Sequence, residues 1–208
     1  MKLQKIALAV ALVAAPLSAF AGGSVDVFYV DQDLDIQGGG SDDGNGYGFR
    51  GLAELGHGVS LTALHQDADL DTANGNLKET RIGLSYDRGM NGFSVGGGLE
   101  TVTLDINGGG PGTSLRGYSA NVHASISPVE NLSAYARIGY TDVDDLDGVE
   151  YEVGASYAFT PEVAGFIEYR MAQLETTASG PSADVDLDTL RVGARYTFKY
   201  RHSLGARD

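Results

Sequence analysis

Over and over, this chain alternates apolar with polar residues. In 47–55, Tyr47, Phe49, Gly51, Ala53 and Leu55 share one face, with Arg50 and Glu54 on the other. In 80–87, Ile82, Leu84 and Tyr86 oppose Arg81, Ser85 and Asp87. In 132–140, Leu132, Ala134, Ala136, Ile138 and Tyr140 oppose Ser133, Tyr135 and Arg137. In 149–159, Val149, Tyr151, Val153, Ala155, Tyr157 and Phe159 oppose Glu150, Glu152 and Ser156. In 189–198, Leu190, Val192, Ala194, Tyr196 and Phe198 oppose Arg191, Gly193, Arg195 and Thr197. A period of two sustained this long means a β-strand with unlike faces, not a helix.

Ten such segments are predicted, at about 24–36, 46–55, 58–67, 78–87, 92–104, 114–126, 131–142, 149–160, 163–174 and 187–198. Their connectors alternate between short (near 56–58, 88–92, 127–131 and 160–162) and long, and Pro111, Pro128, Pro161 and Pro181 all fall in connectors. Proline belongs there, because a sheet ladder needs its N–H groups. Aspartate clusters begin at 31, 67, 105, 142 and 184, at intervals of 36, 38, 37 and 42 residues. One circuit of up-strand, long connector, down-strand and short turn has this length, so the aspartates collect at one end. A repeat near 40 also suits a propeller blade, but a blade needs four short strands per repeat.

Residues 1–21 read as a cleaved secretory signal peptide. Lys2 and Lys5 precede a short apolar run, and Ala19-Phe20-Ala21 has the form of a cleavage site. Removing them leaves 12 basic against 28 acidic residues, a net charge of −16. Such a chain is a poor nucleic-acid binder, since phosphate contacts need Lys and Arg. There are no cysteines, so an exported chain must be held by a core or by a membrane. An apolar content of 42% argues against general disorder.

Alternation alone leaves open which face points inward. Strands of nine to eleven residues suit a tilted crossing of a bilayer, and long and short connectors alternate as in outer-membrane barrels. The polar faces carry Arg50, Arg81, Arg137, Arg170, Arg191 and Arg195 with Glu54, Glu100, Glu150, Glu152 and Glu168. A soluble barrel would have to bury this set or expose its Val, Leu, Phe and Tyr to water. A membrane barrel points the charges into its lumen, where they pair. The expected fold is all-β: a ten-stranded antiparallel up-and-down transmembrane barrel over 22–198, monomeric, followed by a periplasmic tail or strand extension at 199–208. The facing of Asp31, Asp33 and Asp35 stays open, because Val25, Val27 and Tyr29 share their parity.

The hairpin "LDGVEYEVGASYAFTPEVAGFIEYR" (146–170) and the closing "LRVGARYTF" (190–198) resemble the small bacterial outer-membrane β-barrel proteins of the porin-like superfamily. The ten-strand count is most similar to the branch associated with diffusible-signal-regulated outer-membrane proteins. The resemblance implies a location in the outer membrane of a Gram-negative bacterium. It also implies contact with lipid and lipopolysaccharide, and insertion by the barrel-assembly machinery with Phe198 as the assembly signal. This chain departs from the pattern by continuing past Phe198.

Hard cations take several oxygen ligands, so Asp142, Asp144, Asp145 and Asp147 form a candidate weak Ca²⁺ or Mg²⁺ site. The plainer reading is a solvated acidic rim, and no other cofactor is expected. "HASIS" holds His123 and Ser125 in the His-x-Ser form of the outer-membrane lipid A deacylases. That pair is expected in the lumen near a periplasmic turn, with no carboxylate placed to complete a triad. His65 with Asp67 and Asp69 resembles the outer-mouth pairs of the omptin proteases, although the chain is much shorter than an omptin. No catalytic residue is assigned. The expected function is a structural or narrow porin-like barrel whose acidic extracellular rim would favour cations. The alternatives are an adhesin acting through its acidic loops, and an outer-membrane hydrolase.

Overall fold

The computed structural model describes residues 22–71, 75–107, 112–176 and 184–199. The expected signal peptide, most of the expected tail, Pro111 and Pro181 lie outside the described residues. The ten strands are β1 (Gly22–Ile36), β2 (Gly40–Gly56), β3 (Val59–Leu70), β4 (Asn76–Met90), β5 (Phe93–Asn107), β6 (Thr113–Val129), β7 (Leu132–Val143), β8 (Leu146–Ala158), β9 (Val163–Thr176) and β10 (Asp184–Lys199). Each pairs antiparallel with its chain neighbours, and β10 returns to β1, so the sheet is a closed barrel without an edge. Phe198, next to last in β10, pairs with Gly23.

The strands run 12 to 17 residues, longer than the nine to eleven expected. The surplus lies mainly at the aspartate end. There the predicted long connector after β1 shrinks to Gln37–Gly39, and the one after β7 to Asp144–Asp145. Gly38 and Gly40 hold φ of 78° and 107°, the left-handed region that lets the chain reverse at once. Most of the clustered aspartates, among them Asp42, Asp43, Asp69, Asp147, Asp184 and Asp186 of the expected connectors, therefore stand on strand walls, while Asp71, Asp144 and Asp145 lie in turns. The physical reason is that Asp-x-Asp-Leu-Asp itself alternates, so the ladder runs straight through it. Pro128 is a second correction. It lies inside β6, where the register slips between Ile126 and Val129, and a missing N–H there breaks no ladder bond.

The facing now resolves for every strand. Outward side chains in the middle of the wall are apolar: Val27, Ile82, Leu84, Leu99, Val122, Ile138, Val153, Ile167 and Val192 are all exposed. Exposed tyrosines flank this band, with Tyr29, Tyr47, Tyr118, Tyr140 and Tyr169 on the aspartate side. Tyr86, Tyr157 and Tyr196 flank it on the side of the short turns. Two aromatic girdles around an apolar band match a bilayer with its two interfaces. Both described ends of the barrel lie at the short-turn rim, which is the periplasmic rim in this architecture.

Candidate functional site in the lumen and outer collar

Inward-facing positions on neighbouring strands converge in the middle of the barrel. Asp26 accepts from Arg195 at 2.8 Å and lies 2.6 Å from Arg50, which also reaches Glu168 at 2.6 Å. Glu79 sits between Arg81 and Arg170, each at 2.5 Å. Arg81 bridges to Glu150 at 2.5 Å and Glu100 at 3.3 Å, and Arg137 reaches the same two carboxylates at 3.3 and 3.4 Å. Arg191 takes Glu152 at 3.3 Å and donates to Gln66 at 2.8 Å, while Tyr135 donates to Glu152 at 2.7 Å. Phe166 carries the guanidinium groups of Arg50 and Arg195 on its ring, and Phe28 carries that of Arg191. Six arginines thus meet six carboxylates across the lumen, and the most central, Glu79, Arg170 and Arg191, are essentially fully buried.

Sequence reasoning named all six arginines and four of these carboxylates. It missed Asp26 and Glu79, together with the partners Gln66 and Tyr135. Glu79 stands two residues before Arg81, so strand parity alone would have found it. Asp26 was hidden because its inward neighbours Phe28 and Val30 are apolar, which makes both faces of β1 look alike. Glu54, named with the network, stands exposed near the end of β2 at the periplasmic mouth.

Above the charges the interior turns apolar. Val102, Leu104 and Val143 form one buried cluster, with Leu115 and Leu146 against it. Leu70, Leu77, Ala172, Leu174 and Leu187 form another, joined by Leu34, Ile106, Leu146 and Val185. Outside the same stretch of wall the aspartates take over. On β1, Gln32 is buried and Leu34 packs inward, while Asp31, Asp33 and Asp35 are exposed. Ala68 and Leu70 on β3 and Leu187 on β10 are likewise buried beside outward aspartates. The binary pattern thus inverts at the outer tyrosine girdle: polar inside and apolar outside within the membrane, apolar inside and acidic outside beyond it. That is what a barrel wall needs when it continues from lipid into water.

Asp33 lies opposite Asp188 on one side and Asp43 on the other. Its carboxyl is raised above the ordinary aspartate range. Partial desolvation contributes most, followed by the hydrogen bond with Asp43 and repulsion from Asp43, Asp31 and Asp188. Because the folded state raises this value, its ionisation above that range works against folding.

The four candidate cation ligands do not share one centre. Asp142 and Asp147 face each other across β7 and β8, and Asp147 accepts the Tyr140 hydroxyl. Asp144, at φ 48° in the turn, accepts the Arg116 N–H at 2.7 Å. Among the described residues, no three His, Asp or Glu side chains converge as a metal centre would require.

The histidines also find partners. His123 Nε2 meets Asp87 Oδ1 at 2.7 Å, a carboxylate partner that the sequence reading did not name. Asp87 and His123 lie on either side of Gly96, whose missing side chain lets them meet. Nδ1 faces Asn121 Oδ1 at 3.3 Å, so both ring nitrogens are engaged, while Ser125 bonds Ser94 at 2.7 Å. That arrangement leaves no imidazole nitrogen to activate Ser125. His65 bonds Thr80 at 2.9 Å, whereas Asp67 meets Lys78 and Asn76.

An outer-membrane β-barrel is also what comparison with known proteins returns. The profile of the outer membrane protein beta-barrel domain matches residues 6–198. The chain belongs to this family. Its place is the bacterial outer membrane. Among solved structures, the outer membrane protease OmpT from Escherichia coli superposes with a TM-score of 0.53 at 11% identity, over 85% of this chain and 97% of that one. An outer-membrane channel from Pseudomonas putida F1 superposes with a TM-score of 0.50 at 11% identity, over 86% and 96%. No curated protein matches. At such identities the likeness is one of fold: a protease and a channel share it, so the barrel does not choose between them.

Proposed function

We propose that this family member is a closed, non-conducting, non-enzymatic barrel that serves the outer membrane as a structural and surface-exposed element. The carrying observation is the filled lumen, with a charge-balanced ion-pair layer in mid-membrane and an apolar cap above it. An ion crossing would have to break buried pairs and then dehydrate among leucines, and each step is costly. This favours the structural half of the sequence expectation over the narrow cation channel. The engaged ring nitrogens of His123 weigh against hydrolysis. The acidic collar stands outside the membrane, where it repels anionic surfaces and gathers counter-ions. The working face on this reading is the outer wall of the collar, as an adhesin would have it.

The test is conductance of the refolded barrel in planar bilayers, with folding verified on unheated gels. The expected result is no unitary steps at any salt concentration, with or without millimolar Ca²⁺. Discrete cation-selective steps that scale with inserted protein would overturn the proposal.

A further inference from the structure

Below the ion-pair layer the lumen opens to the periplasm. Along β6 the inward side chains are Ser127, Ser125, His123, Asn121 and Ser119. They pass from exposed at the mouth, through half-buried, to 1% exposed at Ser119. Beside them β5 offers Ser94, Gly96 and Gly98, and β7 offers Ser133, Tyr135 and Gly139. None of these inward positions is aliphatic, and all but Ser119 and Gly139 are open to solvent. They form a polar well that ends blind in the middle of the barrel. At its blind end Ser119 Oγ, Thr141 Oγ1 and Arg137 Nε have no hydrogen-bond partner. Ser119 and Thr141 are cross-strand neighbours, each 1% exposed. Arg137 and Thr141 are the inward positions on either side of Gly139, where a Cβ would stand 3.6 Å from Ser119 Oγ. Arg137 is held loosely, by hydrogen bonds of 3.4 Å to Glu100 and 3.3 Å to Glu150. Buried polar atoms are normally paired, so an unpaired trio at the end of an open well points to a ligand.

We propose that this well binds a small, neutral, hydroxyl-rich solute of the periplasm, the size of a monosaccharide, with one ligand hydroxyl seated over Gly139 against Ser119, Thr141 and Arg137. A hydroxyl suits the trio because it accepts from the Arg137 N–H and exchanges hydrogen bonds with both side-chain hydroxyls. Neutrality follows from the wall, whose charges are already matched. Asp87 is taken by His123, Glu100 by Arg81 and Arg137, and Asp26, across the well, by Arg50 and Arg195. An anion would meet Glu100 and Glu150, and a cation would meet Arg137, each uncompensated. Size follows from the barrel. Eight strands can already hold one small ligand, barrel mouths are common ligand sites, and here ten strands carry mostly serine and glycine inward. The site rests on the closed lumen for its floor. Conductance reports on that floor and solute binding on the well, so either can fail alone.

The experiment uses Ser125→Cys, which puts a thiol halfway down the well. The barrel is folded in a detergent without a sugar headgroup, and modification by methyl methanethiosulfonate is timed against rising glucose. The expected result is saturable protection, at least fivefold at saturation. Gluconate and glucosamine, charged solutes of similar size, should protect little. A thiol at Asp33→Cys, on the outer collar, should be indifferent to all three. Ser119→Ala with Thr141→Val removes both unpartnered hydroxyls with little change of shape. That barrel should resist urea as well as the parent, while the glucose needed for half-protection rises at least fivefold. Ser133→Cys on β7 is the second reporter should Ser125→Cys fail to fold. No protection by glucose at the folded reporter, equal protection by all three solutes, or protection unmoved by Ser119→Ala with Thr141→Val would overturn the proposal.

Discussion

Glu79→Ala is expected to cost the barrel about 3–5 kcal/mol, the usual consequence of removing one partner from a buried ion pair. Glu79 is essentially fully buried and holds Arg81 and Arg170 at 2.5 Å, with Arg191 at 3.8 Å and the Gln66 amide at 2.8 Å. Its loss leaves three guanidinium groups crowded around a cavity. Glu79→Gln keeps the shape and part of the hydrogen bonding, so its cost should be smaller. Removing a cation along with the carboxylate, as in Glu79→Leu with Arg170→Met, should recover much of the loss, because buried ions replaced by apolar groups of similar size are often neutral. Glu54→Ala, at the exposed mouth, serves as the control and should change little. Urea titration of the barrel in vesicles, read from the folded band of unheated gels, ranks the four. If Glu79→Ala unfolds at the same urea concentration as the wild type, the ion-pair layer contributes nothing to stability.

Gly46→Ala should be about as damaging, for a steric reason. Gly46 is an inward position of β2, and a Cβ there would lie 1.8 Å from the Asp67 carbonyl oxygen and 2.8 Å from the Ala68 Cα. Both obstacles are backbone of the paired strand, so no rotamer change makes room and the β2–β3 ladder must part. Overpacking typically costs about 1–3 kcal/mol, and a backbone obstacle belongs at or above the upper end. Gly89→Ala, where a Cβ meets nothing within 4 Å, is the matched control. The same urea titration should separate the two. Equal midpoints would mean that the close approach of β2 and β3 is not required.

Strand number, closure and the six lumen arginines were legible in the sequence because period-two alternation records facing directly. Facing became ambiguous only where both faces of a strand were apolar, as at Phe28 and Val30, and there Asp26 was lost. The aspartate clusters were legible as an end of the barrel, but the strands were expected to stop short of Asp42, Asp69, Asp147 and Asp184, which they include. Acidic residues are poor strand formers on average, and only their alternation with Leu34, Leu70 and Leu187 shows that the ladder continues. The partnership of His123 with Asp87 was out of reach, because it depends on register across three strands and on the gap at Gly96.

The central claim is that the wall keeps its facing but inverts its polarity at the outer girdle. The chain has no cysteine, so single cysteines can be placed along β1 and challenged with a membrane-impermeant maleimide, with the barrel folded in vesicles. Cysteines at Asp31, Asp33 and Asp35 should label quickly. Those at Val27 and Tyr29 should label slowly, shielded by lipid, and those at Gln32 and Leu34 should stay protected until the barrel is unfolded. Fast labelling at Gln32 and Leu34 with protection at Asp33 would mean that Gln32 and Leu34, and not the aspartates, face water, and the closed-barrel account would fall.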